Sequence, residues 1–168
     1  DMVPGELTDH YSPGERVIRL SPDVYRGRSL ASVGIAAHEA GHALQHAHGY
    51  APLMITQIAY PAANFGSSLG ILALLIGLGM GLTWLAWVGV YLFSAVVIFQ
   101  VINLPVEFNA SRRAKQLLVE RGIVSPEELT YVNRVLNAAA WTYVAATLQA
   151  ILTLLYYLLL VSARDRDR

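Results

Sequence analysis

Residues 49–106 form a run of 58 positions without a Lys, Arg, Asp, Glu or His, and residues 135–163 form a second such run of 29. A helix needs about 20 apolar residues to cross a bilayer, so the first run predicts two spans and a turn, and the second predicts one. Gly79-Met80-Gly81 divides the first run, giving spans over 62–79 and 83–103, with the third over 135–163. Trp84, Trp87 and Tyr91 follow that turn as an interfacial aromatic belt. The chain average hides this unevenness: 14% of residues are charged, against about 25% in soluble domains. The expected class is a mainly α, multi-pass helical membrane protein with the lipid bilayer as a partner.

Twelve Lys and Arg balance twelve Asp and Glu, so no basic surface exists to bind nucleic acid, and that partner class is excluded. The absence of cysteine removes disulfides, thiolate metal sites and thiol nucleophiles. Any metal is held by nitrogen and oxygen. The chain opens at Asp1 in a polar stretch, in which neither a signal peptide nor an N-terminal anchor is visible.

The whole of 1–168 reads as one domain: polar segments 1–50 and 104–134, a two-span hairpin over 62–103, a third span over 135–163, and an Arg/Asp tail. Segments 6–11 and 16–20 are strand candidates, joined by Ser12-Pro13-Gly14-Glu15 in the order of a type II turn. Ser29 caps a helix that runs to His48 and stops at Gly49. Pro105 suits the first turn of a helix ending near Gly122, and Ser125-Pro126-Glu127-Glu128 is a capping box that starts a helix leading into the last span.

His38-Glu39-Ala40-Gly41-His42 is an HExxH motif on the first of these helices. Histidines at i and i+4 lie on one face and reach one metal ion, while the glutamate between them approaches water at that metal. Leu30, Val33, Ala37 and Leu44 form an apolar stripe about 100° away, so neither histidine is needed for the core. Catalytic zinc requires three protein ligands and an open position. His46 lies about 12 Å along the helix from His38, too far to complete the set, and the spacing fails the three-histidine HExxHxxGxxH pattern. His46 and His48 read as a polar helix end.

The third ligand must come from the other polar segment, which two spans return to the same side of the membrane. Glu107 is eligible, in Leu104-Pro105-Val106-Glu107-Phe108-Asn109-Ala110-Ser111-Arg112-Arg113-Ala114. On spacing alone it serves equally well as an acid at a helix start. Glu120 falls late in its helix, and Glu127 and Glu128 belong to the capping box.

These two motifs, together with the sequence from Gly34-Ile35-Ala36-Ala37 through Tyr50-Ala51-Pro52, closely resemble the YugP-type neutral zinc metallopeptidases of bacterial membranes. The chain is more distantly similar to the membrane gluzincins, the HtpX-type and CAAX-prenyl proteases, which share HExxH followed by ExxxD. The resemblance implies a gluzincin-like HExxH helix at the membrane surface and one zinc ion per chain. It implies His38, His42 and Glu107 as ligands and Glu39 as catalytic base. The Asp of ExxxD is Ser111 here, and the YugP-type pattern begins with an upstream transmembrane helix.

Such a ligand set implies hydrolysis of peptide bonds in peptide or protein substrates, including membrane-associated ones, with Glu39 moving a proton from water to the leaving amine. An extended substrate would pair with the edge of strand 6–11, where Thr8, Asp9 and His10 are the candidate substrate-binding residues. Tyr143, Tyr131, Asn109 and His10 are candidate donors to the developing oxyanion, and Tyr143 also suits an interfacial anchor. A non-catalytic metal-binding scaffold or transporter would want ionisable residues along its spans, and an intramembrane protease of the site-two type would place an Asp ligand in a later span. Nine basic residues flank the candidate site and three lie in the tail. The positive-inside rule then predicts a multi-pass protein of the bacterial inner membrane with its site facing the cytoplasm.

Overall fold

The computed structural model describes residues 1–166. A two-stranded antiparallel sheet, β1 (His10–Ser12) and β2 (Val17–Arg19), is followed by a short helix α1 (Pro22–Tyr25) and then α2 (Leu30–Ala47). Three long helices complete the chain: α3 (Ala51–Met80), α4 (Thr83–Glu120) and α5 (Pro126–Arg166). All three are long and apolar enough to cross a membrane, as the charge-free runs require. Asp167 and Arg168 of the tail lie outside the described residues.

Helix ends form where local chemistry provides for them. The Ser29 side chain accepts the Ser32 amide at 3.1 Å and caps α2. Gly49 adopts φ +62, and the Tyr50 amide reaches back to the Gln45 carbonyl at 2.9 Å, the closing bond of a Schellman turn. Gly81 (φ +72) ends α3 the same way, with Leu82 N donating to Gly77 O at 2.8 Å. At the start of α5 the capping box is reciprocal: Ser125 N donates to Glu128 Oε2 at 2.8 Å and Glu128 N to Ser125 Oγ at 3.2 Å.

Three expectations are corrected. The first strand is short, because Gly5 (φ +107) and Leu7 (φ 55) bend the backbone and leave only His10–Ser12 to pair, in register with Val17–Arg19. The hairpin turn is not type II: Gly14 stays out of positive φ, and Arg16 takes φ 58 instead, placing the left-handed residue at the end of a four-residue loop. Pro105 does not begin a helix; it lies inside α4, which runs unbroken from Thr83 to Glu120. An interior proline forfeits one backbone hydrogen bond, and burial around it holds the helix together, since Val106, Ala110 and Ala114 are all buried.

The chain divides into two compact units. The first comprises Asp1–Met54 and Pro105–Thr142. Its core brings Ala37 of α2 against Ala114 and Leu118 of α4, Val124, and Val132 and Leu136 of α5, with Leu30 and Val33 packed on it. Three members of the apolar stripe expected on α2 therefore serve as its core face. The second unit comprises Ile55–Leu104 and the described residues from Tyr143. Within it Leu74, Ala86, Val90 and Val161 form one cluster, and Phe93, Val97 and Ala150 another. Glycines let α3 and α4 meet backbone to backbone: a Cβ on Gly89 would lie 2.6 Å from the Gly70 carbonyl oxygen. Small residues at helix contacts and large apolar residues outside, among them Phe65, Leu75, Trp84, Leu152 and Leu159, are the pattern of a protein whose solvent is lipid.

Candidate metal centre

His38, Glu39 and His42 project from α2, and Glu107 and Ser111 from α4, all within the first unit. The helices touch closely because residue 41 is glycine. A Cβ there would fall 2.3 Å from the Ala110 carbonyl oxygen and 2.9 Å from its carbon. Ala110 is itself fully buried and lies between Glu107 and Ser111 in the chain.

Three ligand-type atoms converge across that contact. His38 Nε2 is 3.2 Å from Glu107 Oε2 and 3.2 Å from His42 Nε2, and His42 Nε2 is 3.6 Å from Glu107 Oε2. A tetrahedral zinc ion with bonds near 2.0–2.1 Å sets its ligands about 3.3–3.4 Å apart. The triangle therefore has the size that zinc requires, and the donor set of two imidazoles and a carboxylate suits it. Among the described residues no other trio of His, Asp or Glu is grouped in this way.

The outward nitrogens are tied down as well. His38 Nδ1 lies 3.1 Å from Ser111 Oγ, and His42 Nδ1 lies 3.0 Å from Gln45 Oε1. Ser111 thus meets His38 from the position at which Asp stands in ExxxD.

Burial raises the pKa of Glu39; the nearby His42 and His38, and the backbone of Tyr11 on β1, oppose the rise without cancelling it. For His42 burial acts to lower the pKa, but contact with Glu107, followed by Glu39 and Gln45, outweighs it and the net direction is up. Metal binding must displace a proton from such an imidazole, so affinity falls as pH drops through this raised value.

The other residues expected to act fall differently. Asp9 accepts from Ser21 N at 2.8 Å and Ser21 Oγ at 3.1 Å, a bond that fastens the hairpin to the start of α1. His10 Nδ1 donates to Thr8 O at 2.7 Å, and Thr8 Oγ1 donates to Gly5 O at 3.3 Å. Tyr143 lies on α5 in the second unit. Tyr131 is exposed, and Asn109 Oδ1 already accepts from Arg113 Nε and Gln45 Nε2. His46 is more than a polar helix end, since its Nδ1 is 2.8 Å from the Tyr11 hydroxyl. Pattern alone marks neither Tyr11 nor Gln45 as a site group, and Ser111 is marked only as the residue in place of the ExxxD aspartate. For two of them a signal existed: Gln45 follows His42 by three residues and Ser111 follows Glu107 by four, both helical same-face spacings. Tyr11 carried none.

Residues 1–162 match the family described as "Putative neutral zinc metallopeptidase". The chain is 48% identical over 166 residues to the "Putative membrane protease YugP" of Bacillus subtilis (strain 168), covering 98% of this chain and 74% of that protein. No solved structure matches it. A match of this extent, across both motif segments and the apolar helices between them, makes the chain a member of this zinc metallopeptidase family.

Proposed function

We propose that the protein is a membrane-embedded zinc endopeptidase of the gluzincin type, with His38, His42 and Glu107 holding the metal and Glu39 as general base. The convergence of the two Nε2 atoms and Glu107 Oε2 at 3.2–3.6 Å carries this reading. Zinc bound there supplies Lewis-acid polarisation of a carbonyl and makes water acidic enough to attack near pH 7. Glu39 is not a member of this triangle but lies on α2, the helix that carries both histidines. Its raised pKa brings it closer to the range in which a carboxylate both takes and returns a proton. It accepts the proton of the attacking water and passes it to the leaving amine. The outer edge of β1, next to α2, is where an extended peptide would add as a strand, with Thr8, Asp9 and His10 at its approach.

Peptide cleavage by the detergent-purified protein should vanish on chelation and return with zinc, at one bound ion per chain. Glu107→Ala should weaken zinc binding by more than the roughly 10–100-fold that loss of an outer-sphere partner costs, with the helical signal intact. A variant that kept wild-type zinc affinity would remove Glu107 from the ligand set.

The nine basic residues on the side of the site support a cytoplasmic orientation in the bacterial inner membrane. The cysteine-free sequence makes this directly measurable with Ser12→Cys and Ser162→Cys. A membrane-impermeant thiol reagent applied to intact cells should leave the first unlabelled and modify the second. Labelling at Ser12→Cys would reverse the orientation.

A further inference from the structure

Gln45 is fully buried, and the proposed mechanism gives it no task. Its Nε2 lies 2.7 Å from the Val106 carbonyl oxygen and 3.1 Å from Asn109 Oδ1, and its Oε1 lies 3.0 Å from His42 Nδ1. The orientation of this amide follows from its partners. A backbone carbonyl only accepts, so the two N–H bonds must face Val106. Asn109 agrees independently: Arg113 Nε, which only donates, sits 2.8 Å from Oδ1, making that atom the oxygen and a second acceptor for Gln45. Turning the amide over would press its oxygen against the Val106 carbonyl oxygen at 2.7 Å and against Asn109 Oδ1 at 3.1 Å with no hydrogen between them.

With the N–H bonds committed to α4, Oε1 is left to face His42. We infer that Gln45 is a positioning residue: it holds His42 as the Nδ1–H tautomer, so that Nε2 keeps its lone pair and aims it at the metal. The inference rests on the proposed role of His42 as a ligand. Gln45 does two things through one side chain. It selects the ligating nitrogen of His42, and it ties that histidine to the backbone of Val106, the residue preceding Glu107. Ligands separated by 65 positions are thereby set in a common frame. Because the amide is neutral, it orients the imidazole without adding a charge to the site, in contrast to the carboxylate partners common behind metal-bound histidines.

The tautomer is read without a variant. In metal-free wild-type protein carrying ¹⁵N-labelled histidine, two-bond ¹H–¹⁵N correlations, followed upward in pH until His42 has lost one of its two ring protons, should show the remaining proton on Nδ1. A proton on Nε2 would overturn the inference. Zinc affinity measured by chelator competition should fall about 10–100-fold in Gln45→Leu. Wild-type affinity in a folded Gln45→Leu protein would overturn it too. If Gln45→Leu does not fold, the wild-type tautomer alone decides. Failure of the wild-type protein to bind zinc would instead strike at the ligand assignment, and the tautomer result would stand apart from it.

Discussion

Glu39→Gln should slow peptide cleavage by about 10²–10⁴-fold, the usual contribution of a general base, while the protein retains its full complement of zinc. Glutamine keeps the shape and the hydrogen-bonding capacity of the side chain but cannot take up a proton. The ligand triangle does not include residue 39, so metal content should not follow activity downward. Cleavage at the wild-type rate would exclude Glu39 as the base, and loss of zinc along with activity would make it a support of the site instead. The same substitution should act in the opposite direction on the metal-free fold. Burial raises the pKa of Glu39 above its unfolded value, so its ionised form is less favourable in the folded protein. Its linked contribution to stability is present below the unfolded pKa and is lost as pH rises through the folded one. At neutral pH the Gln variant should therefore unfold at the same temperature as the wild type or higher, a cost of catalytic placement visible in a thermal melt.

Gly41→Ala should reduce activity by at least about 10²-fold, the penalty attached to a displacement near 1 Å at a reacting centre, and should destabilise the first unit by about 1–3 kcal/mol as an overpacked contact does. On an exposed helix this substitution stabilises by up to about 1 kcal/mol, because alanine is the better helix former. The reversal of sign reports the contact. A new Cβ at 2.3 Å from the Ala110 oxygen meets backbone, which has no rotamer to turn aside, so α2 and α4 must separate. Glu107 and Ser111 then move away from His38 and His42. Gly79 in α3, where a Cβ would meet nothing within 4 Å, provides the comparison: Gly79→Ala should leave cleavage and zinc content unchanged. An active, stabilised Gly41→Ala protein would show that the two helices do not approach as closely as described.

The sequence revealed most where physics acts locally. Charge-free length marked α3, α4 and α5, and caps at Ser29 and Ser125 marked two helix starts. HExxH and its i, i+4 spacing placed His38 and His42 on one face, and counting spans made Glu107 eligible to join them, a choice that the family resemblance then made. What pattern did not reveal depends on distant parts of the chain. Pro105 breaks a helix by local rules, yet α4 continues because Val106, Ala110 and Ala114 are buried on neighbours far away in sequence. Ser111 is 73 residues from His38 and Val106 is 61 from Gln45, and no periodicity connects such pairs. The hairpin failed for a different reason. Arg16 occupies a left-handed conformation that glycine usually supplies, so turn composition pointed to Gly14 instead.

The first unit is discontinuous, built from Asp1–Met54 and Pro105–Thr142. On the proposed assignment, a nascent chain that has reached only α3 carries the motif helix and its base but no carboxylate to complete the ligand set. Two imidazoles alone hold a metal weakly and leave it more exposed to competing ligands. Hydrolytic competence would then arrive late in synthesis, after both charge-free helices of the first run have been made. A fragment severed between the two halves would be inert however well its HExxH helix folds. On that assignment, the order of segments along the chain delays a complete ligand set until α4 has been made.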